Sequence, residues 1–189
     1  MSKYWAVAIF LCLIVFLLSF VFVLFGVKNR LDTKVQSSAF LEVRQPIETA
    51  FYPKHDFVNI MVIVFKNPNL QNTDQFVFSI LDKDGQSLRQ MEFSGRNIGD
   101  PSDLRFQFEP LEKIAGEKLV MRIEPQGRPE SNLVSAAVTK AGNIAFAAYY
   151  RQPDSVARVK DILGSWKKHI KEDVLFFGAW LVVLCVTFF

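Results

Sequence analysis

Few side chains in this sequence could carry out catalysis, and they lie far apart. The chain has two histidines, His55 and His169, and His169 sits inside the basic run Lys167–Lys171. Histidine is the commonest general base, so His55 would have to act alone. It lies between Pro53 and Asp56, which is typical of a solvated turn. The sequence contains no nucleophile elbow, phosphate-binding glycine loop or HExxH stretch, and it predicts no catalytic residue.

Two aspartates before a glycine have the spacing of the first ligands in a metal-binding loop. Asp82 and Asp84 stand before Gly85 in "LDKDG", as do the first two ligands of a calcium loop. Leu88 and Phe93 occupy later positions where such a loop needs oxygen ligands. We therefore predict a hairpin turn at Asp84-Gly85, with no metal and no cofactor.

Weak ligand binding is the remaining possibility for the central part of the chain. Aromatic rings with neighbouring polar groups form binding platforms, and the three tryptophans all lie in or beside apolar runs at the chain ends. The candidate ligand-binding residues are Tyr149, Tyr150, Tyr52, Arg96 and Asn97. Packing at a strand edge is the alternative role for each of them.

Two uncharged apolar runs bracket the chain. Tyr4–Val27 exceeds the roughly 20 residues that span a bilayer, and it is too long for the apolar core of a cleaved signal peptide. Val174–Phe189 would extend about 24 Å as a helix, short of a hydrocarbon core of about 30 Å. The second run is therefore a short or tilted span, or the front of a helix that continues in a longer protein.

These runs divide the chain into five parts: an anchor at 1–27, a juxtamembrane linker at 28–36, a central domain at 37–152, an amphipathic helix at 153–173 and a second membrane helix at 174–189. The amphipathic stretch carries apolar residues at helical spacing. Its stripe would contact lipid or pack on the domain, and the sequence leaves both open. The stripe consists of Val156, Val159, Leu163, Trp166 and Ile170.

Charge indicates a membrane protein without a nucleic-acid partner. The formal net charge is +3, yet residues 37–151 hold thirteen Lys and Arg against fourteen Asp and Glu. The excess lies in the flanks Lys28–Lys34 and Lys167–Lys171, where basic residues meet lipid headgroups. Positive-inside counting would keep the domain in the cytoplasm, but long domains cross regardless of charge. We predict two spans in the cytoplasmic membrane, with the domain outside.

The central domain alternates with a period of two. In "DLRFQFEP", Leu104, Phe106 and Phe108 alternate with polar residues, which is typical of a half-buried strand. Eight or nine short strands without a long helix predict an all-β fold, a two-sheet antiparallel β-sandwich. The predicted strands are Phe40–Arg44, Ile47–Phe51, 57–67, Gln75–Leu81, its hairpin partner ending at Phe93, 103–110, Lys118–Glu124, Leu133–Thr139 and Ile144–Tyr150.

The stretch Thr49–Pro125 resembles a known class of domain. Its hydrophobic strand, "LxDxDG" turn, "FSGRNIGD" connection and "LRFQFEPL" strand are similar to a jelly-roll, carbohydrate-binding-like domain of bacterial multi-pass envelope proteins, including membrane glycosyltransferases. The resemblance implies a jelly-roll-like fold outside the cytoplasmic membrane. Its motif residues are mostly turn and core positions, so it implies no particular ligand.

The expected function is a binding or interaction module in bacterial envelope or surface-glycan biology. Membrane lipid is an expected partner, with an envelope glycan or other membrane proteins as further candidates. Two alternatives stay open. The chain could be the non-catalytic front of a multi-pass membrane glycosyltransferase, or a structural subunit of a membrane complex.

Overall fold

The computed structural model describes residues 29–127 and 132–151 and, beyond these ranges, the single positions 14, 156, 159, 160 and 164. The predicted membrane segments and the predicted amphipathic helix therefore lie outside the described residues, apart from those positions. No helix within the described part is long and apolar enough to cross a membrane. Asn29–Arg151 form one compact unit.

Ten strands and two single-turn 3₁₀ helices form this unit over its described residues. The strands are β1 (Asn29–Lys34), β2 (Ala39–Glu42), β3 (Ile47–Phe51), β4 (Val58–Lys66), β5 (Gln75–Leu81), β6 (Ser87–Ser94), β7 (Ser102–Leu111), β8 (Leu119–Gln126), β9 (Ser135–Val138) and β10 (Phe146–Arg151). The 3₁₀ helices are Pro68–Leu70 and Gly95–Asn97.

The strands form two antiparallel sheets, as the sequence predicts. One sheet has the order β1-β10-β4-β9-β2, with β7 paired to β4, and the other has the order β3-β8-β5-β6. The predicted strand Gln75–Leu81 is confirmed to the residue as β5, and its partner β6 returns after the predicted turn. At that turn, Asp82 Oδ1 accepts hydrogen bonds from the backbone N–H groups of Asp84 and Gln86.

The two sheets enclose one hydrophobic core, which the alternation in β7 anticipates. Phe106 is buried, whereas Arg105 and Gln107 on either side are exposed. The Phe106 ring stacks on Phe78 with the ring centroids 4.2 Å apart, and it meets Phe93 edge-on at 5.2 Å. The inward face of β7 is therefore the one that the sequence assigns to the core.

A strand lies where the sequence predicts a juxtamembrane linker. Asn29–Lys34 form β1, which pairs with β10, so the sandwich begins within the segment 28–36. A β-bulge between Leu31 and Thr33 turns Asp32 inward. Hydrophobic periodicity missed β1 because its apolar residue, Leu31, is exposed while a carboxylate is buried.

Both ends of the compact unit lie at one end of the sandwich. Asn29 and Arg151 are paired on neighbouring strands. Three loops, 52–57, 82–86 and 112–118, lie at the same end, which we call the chain-exit end. Two of these loops are joined, because Gly116 N–H donates to the carbonyl of Pro53 at 2.8 Å, and Arg151 N–H on β10 donates to that of Phe57 at 2.9 Å.

Candidate functional site

A row of side chains crosses the outer face of the larger sheet, the face turned away from the core. Side chains alternate along β10, and Phe146, Ala148 and Tyr150 belong to the core, so Tyr149 points outward. The strand register sets Tyr149 between Leu31 of β1 and Ile60 of β4. Gln107 of β7 follows next to Ile60.

A second row runs beside the first on the same face. It consists of Lys34, Ala147, Val62 and Arg105. Ala147 precedes Tyr149 by two residues on β10 and lies on the same face of the strand. The two rows together place one half-buried ring on the same face as an amide and a guanidinium group two strands away, with Ile60 of β4, 1% exposed, between them. Aromatic rings with a few polar groups at their edge are a common composition for recognition of polar ligands.

Tyr150, the other predicted tyrosine of β10, points to the opposite side of the sheet. It is 5% exposed and belongs to the core. Its ring stacks on the His55 ring, with the centroids 4.2 Å apart and the planes 8° apart. A buried ring that already has a stacking partner offers no platform to a ligand, whereas the Tyr149 side chain lies on the outer face and is half-buried.

His55 itself is held by a buried carboxylate. The Asp32 side chain has no exposed surface, and its Oδ1 lies 2.9 Å from His55 Nδ1. Asp32 also accepts hydrogen bonds from the backbone N–H groups of Lys54 and His55 and from the Thr33 hydroxyl. A carboxylate in its ionised form only accepts, so this contact is a hydrogen bond when the proton of the imidazole is on Nδ1. The carboxylate orients the imidazole and pins the loop 52–57 to β1.

The interpretation of His55 as part of a solvated turn is therefore correct only in part. The residue lies in a loop, and its side chain is 45% exposed. No local pattern indicates the partners of His55, because Asp32 precedes it by 23 residues and Tyr150 follows it by 95. The bulge and the β1–β10 pairing bring these three groups together.

Arg96 and Asn97 lie at the opposite end of the sandwich from His55. They belong to the 3₁₀ helix Gly95–Asn97, which leads into the start of β7, and both are exposed. The nine residues of β4 separate the two ends, a span of about 26 Å at about 3.3 Å per residue. The structure thus does not bring Arg96 and Asn97 into one patch with the tyrosines.

At the end of the sandwich opposite the chain-exit end, which we call the far end, a buried asparagine side chain links two loops by hydrogen bonds. The Asn67 side chain donates to the carbonyls of Asn72 and Gly95 at 3.1 and 2.9 Å, and its oxygen accepts from the Asn72 N–H. A Cβ atom at Gly95 would lie 2.2 Å from the Asn72 side-chain oxygen. Glycine is therefore required there, and Arg96 sits on a closely packed support.

Tyr52 occupies a third location. It follows the last residue of β3 at the chain-exit end and is 59% exposed. None of the described residues form a cluster of three or more His, Cys, Asp or Glu that could hold a metal ion. Of the three candidate tyrosines, only Tyr149 points to the outer face of the larger sheet, two strands from Gln107.

The fold defines the described part of the chain as a two-sheet antiparallel β-sandwich. No protein-family model and no curated protein matches the chain. Among solved structures it is similar to TmCBM61 in complex with beta-1,4-galactotriose, with a TM-score of 0.36, 9% identity and coverage of 60% of this chain and 69% of that one. It is also similar to a structure of infectious bursal disease virus Gx strain, with a TM-score of 0.27, 12% identity and coverage of 65% and 36%. At these scores the likeness says nothing of a ligand for this chain.

Proposed function

We propose that the sandwich is an extracytoplasmic binding module anchored in the cytoplasmic membrane by the apolar runs at both ends of the chain. One observation carries this proposal: Asn29 and Arg151 are directly paired on neighbouring antiparallel strands. Paired Cα atoms lie about 5 Å apart, so the flanking segments leave the domain side by side and from the same end. Two spans can then enter one bilayer without distorting the domain.

The proposed ligand is an envelope glycan, bound on the outer face at Tyr149. A sugar ring would stack on the tyrosine, and Gln107 and Arg105 would donate hydrogen bonds to its hydroxyl groups. Millimolar affinity corresponds to about 4 kcal/mol, and one stacked ring with two hydrogen bonds can supply that much. Weak binding suffices when anchoring keeps the module close to its ligand.

The proposed extracytoplasmic orientation predicts that the hairpin turn after β5 lies outside the cytoplasmic membrane. Lys83 is exposed in that turn, so a Lys83→Cys variant should react with a membrane-impermeant maleimide in intact cells. The matched control is Ser79→Cys, because Ser79 is buried in β5 and should react only after denaturation. If Lys83→Cys is labelled only after cell lysis, the domain lies in the cytoplasm.

Glycan binding predicts a difference between two tyrosines. Titrating envelope oligosaccharides into ¹⁵N-labelled fragment 29–151 should shift amide resonances around Tyr149, and Tyr149→Ala should abolish the shifts. Tyr52→Ala is the control, because Tyr52 is exposed elsewhere and its loss should leave binding intact. Submicromolar binding, or binding that survives Tyr149→Ala, would contradict the proposed site. So would turnover of any glycan by the fragment alone.

A further inference from the structure

The distance between the first predicted span and the sandwich is very short. The sequence predicts a linker at 28–36, and nine extended residues reach about 30 Å. In the structure β1 already begins at Asn29, so only Lys28 separates it from the predicted span, which ends at Val27. A single residue reaches about 3.5 Å. Tyr4–Val27 would be about 36 Å long as a helix, so centring it on a core of about 30 Å leaves about 3 Å of surplus at its end. An anchored sandwich would then begin about 6–7 Å from the hydrocarbon edge.

The chain-exit end is the part of an anchored sandwich that would lie closest to the bilayer. Asn29 and Arg151 are paired at this end, and the Arg151 N–H donates to the carbonyl of Phe57 at 2.9 Å. The loop 52–57 is thereby level with the first residue of β1, and the Pro53–Gly116 hydrogen bond ties the loop 112–118 to it. The polar headgroup layer extends about 5–8 Å beyond the hydrocarbon on each side. Residues at the level of Asn29 fall within that layer.

Tyr52 has a side chain and an exposure that suit the membrane–water interface. It is 59% exposed in the loop 52–57, and its ring, unlike that of Tyr150, lies outside the hydrophobic core. Tyrosine is enriched at membrane–water interfaces, where its ring meets acyl chains and its hydroxyl meets headgroups. At the far end, Leu70 is 64% exposed but lies about 26 Å away along β4.

The three loops at this end do not form a cationic cluster that would require anionic lipid. The three loops of the chain-exit end carry four lysines and five carboxylates in nearly even mixture. A polybasic attraction to anionic lipid needs a cluster of cations without such compensation. The charged residues are Lys54, Lys83, Lys113 and Lys118, with Asp56, Asp82, Asp84, Glu112 and Glu117.

We propose that the chain-exit end of the sandwich rests on lipid headgroups, with Tyr52 inserted in the interface. The proposal rests on the anchoring proposed above and adds a second lipid contact, made by the folded domain itself. It assigns Tyr52 to lipid rather than to a glycan. Contact arises from the short spacing and the exposed ring, so it does not require anionic lipid.

The test uses the full chain with its two native cysteines, Cys12 and Cys185, replaced by alanine. A Tyr52→Cys variant carries an NBD fluorophore and is reconstituted in phosphatidylcholine vesicles with or without a headgroup nitroxide lipid. Its emission should shift to the blue and be strongly quenched by the nitroxide. The matched control, Leu70→Cys with the same fluorophore, should show neither change. Adding phosphatidylglycerol should leave both results unaltered.

Flotation of the same vesicles separates the two proposals. If the chain floats with the vesicles while the fluorophore at position 52 is quenched no more than the one at position 70, the lipid contact is refuted and the anchoring stands. If the chain does not float, both are refuted. A Lys54→Cys variant in the same exposed loop guards against a local effect of losing the tyrosine, and it should be quenched like Tyr52→Cys.

Discussion

Phe106→Ala should lower the free energy of unfolding by about 3–5 kcal/mol, the usual cost of removing a buried phenylalanine ring. Phe106 is 4% exposed and lies between the two sheets. Its ring meets those of Phe65, Phe78 and Phe93. Deleting it opens a cavity lined by three rings that cannot all move inward, because each packs against other parts of the core.

Arg105→Ala is the matched control for that prediction. Arg105 precedes Phe106 on β7 but points to the opposite, exposed face, and surface substitutions usually change stability by less than about 0.5 kcal/mol. Urea unfolding of the fragment 29–151, followed by circular dichroism, measures both variants. Equal shifts of the unfolding midpoint would show that the assigned faces of β7 are wrong.

Asp32→Ala should destabilise the sandwich by about 3 kcal/mol or more, because hydrogen bonds to a charged acceptor contribute about 1.5–3 kcal/mol each. The carboxylate is fully buried and accepts from Lys54 N–H, His55 N–H and the His55 ring. Its removal leaves the backbone donors of Lys54 and His55 without their acceptor. The loop should detach from β1, which also releases the His55 ring from Tyr150.

Asp56→Ala provides the comparison for Asp32→Ala. Asp56 lies in the same loop and likewise accepts two backbone N–H groups, those of Ile114 and Ala115, at 2.7 and 2.9 Å. Asp56 is partly exposed, so water can replace the lost carboxylate and the cost should be about 1 kcal/mol. Urea unfolding of the fragment 29–151 measures both. An effect of Asp32→Ala no larger than that of Asp56→Ala would mean that the buried carboxylate does not hold the loop.

The lipid contact and the glycan site divide the candidate tyrosines between two environments. Tyr52 lies at the chain-exit end, and Tyr149 lies on the outer face of the sheet. The two proposed roles use different surfaces, because Tyr52 lies in a loop at the chain-exit end and Tyr149 on the face of the larger sheet. If both proposals hold, a lipid-linked glycan close to the membrane surface would be the ligand to test at Tyr149.

The sequence by itself determined the features that depend on near neighbours. Alternation along β7 set which residues face inward, and "LDKDG" set the turn between β5 and β6. Two predicted strands, Ile47–Phe51 and Gln75–Leu81, coincide with β3 and β5. These features could be predicted because a strand shows its buried face with a period of two residues, and a tight turn needs particular residues at particular places.

Only the tertiary structure decided which strands pair and which loops contact them. Alternation places Tyr149 and Tyr150 on opposite faces, but the pairing of β10 between β1 and β4 decides that Tyr150 is the buried one. The β1 bulge buries Asp32 against a loop more than twenty residues away, and the length of β4 separates Arg96 from the tyrosines. Such contacts join residues distant in sequence, and their free energy comes from burial and pairing that no local pattern records.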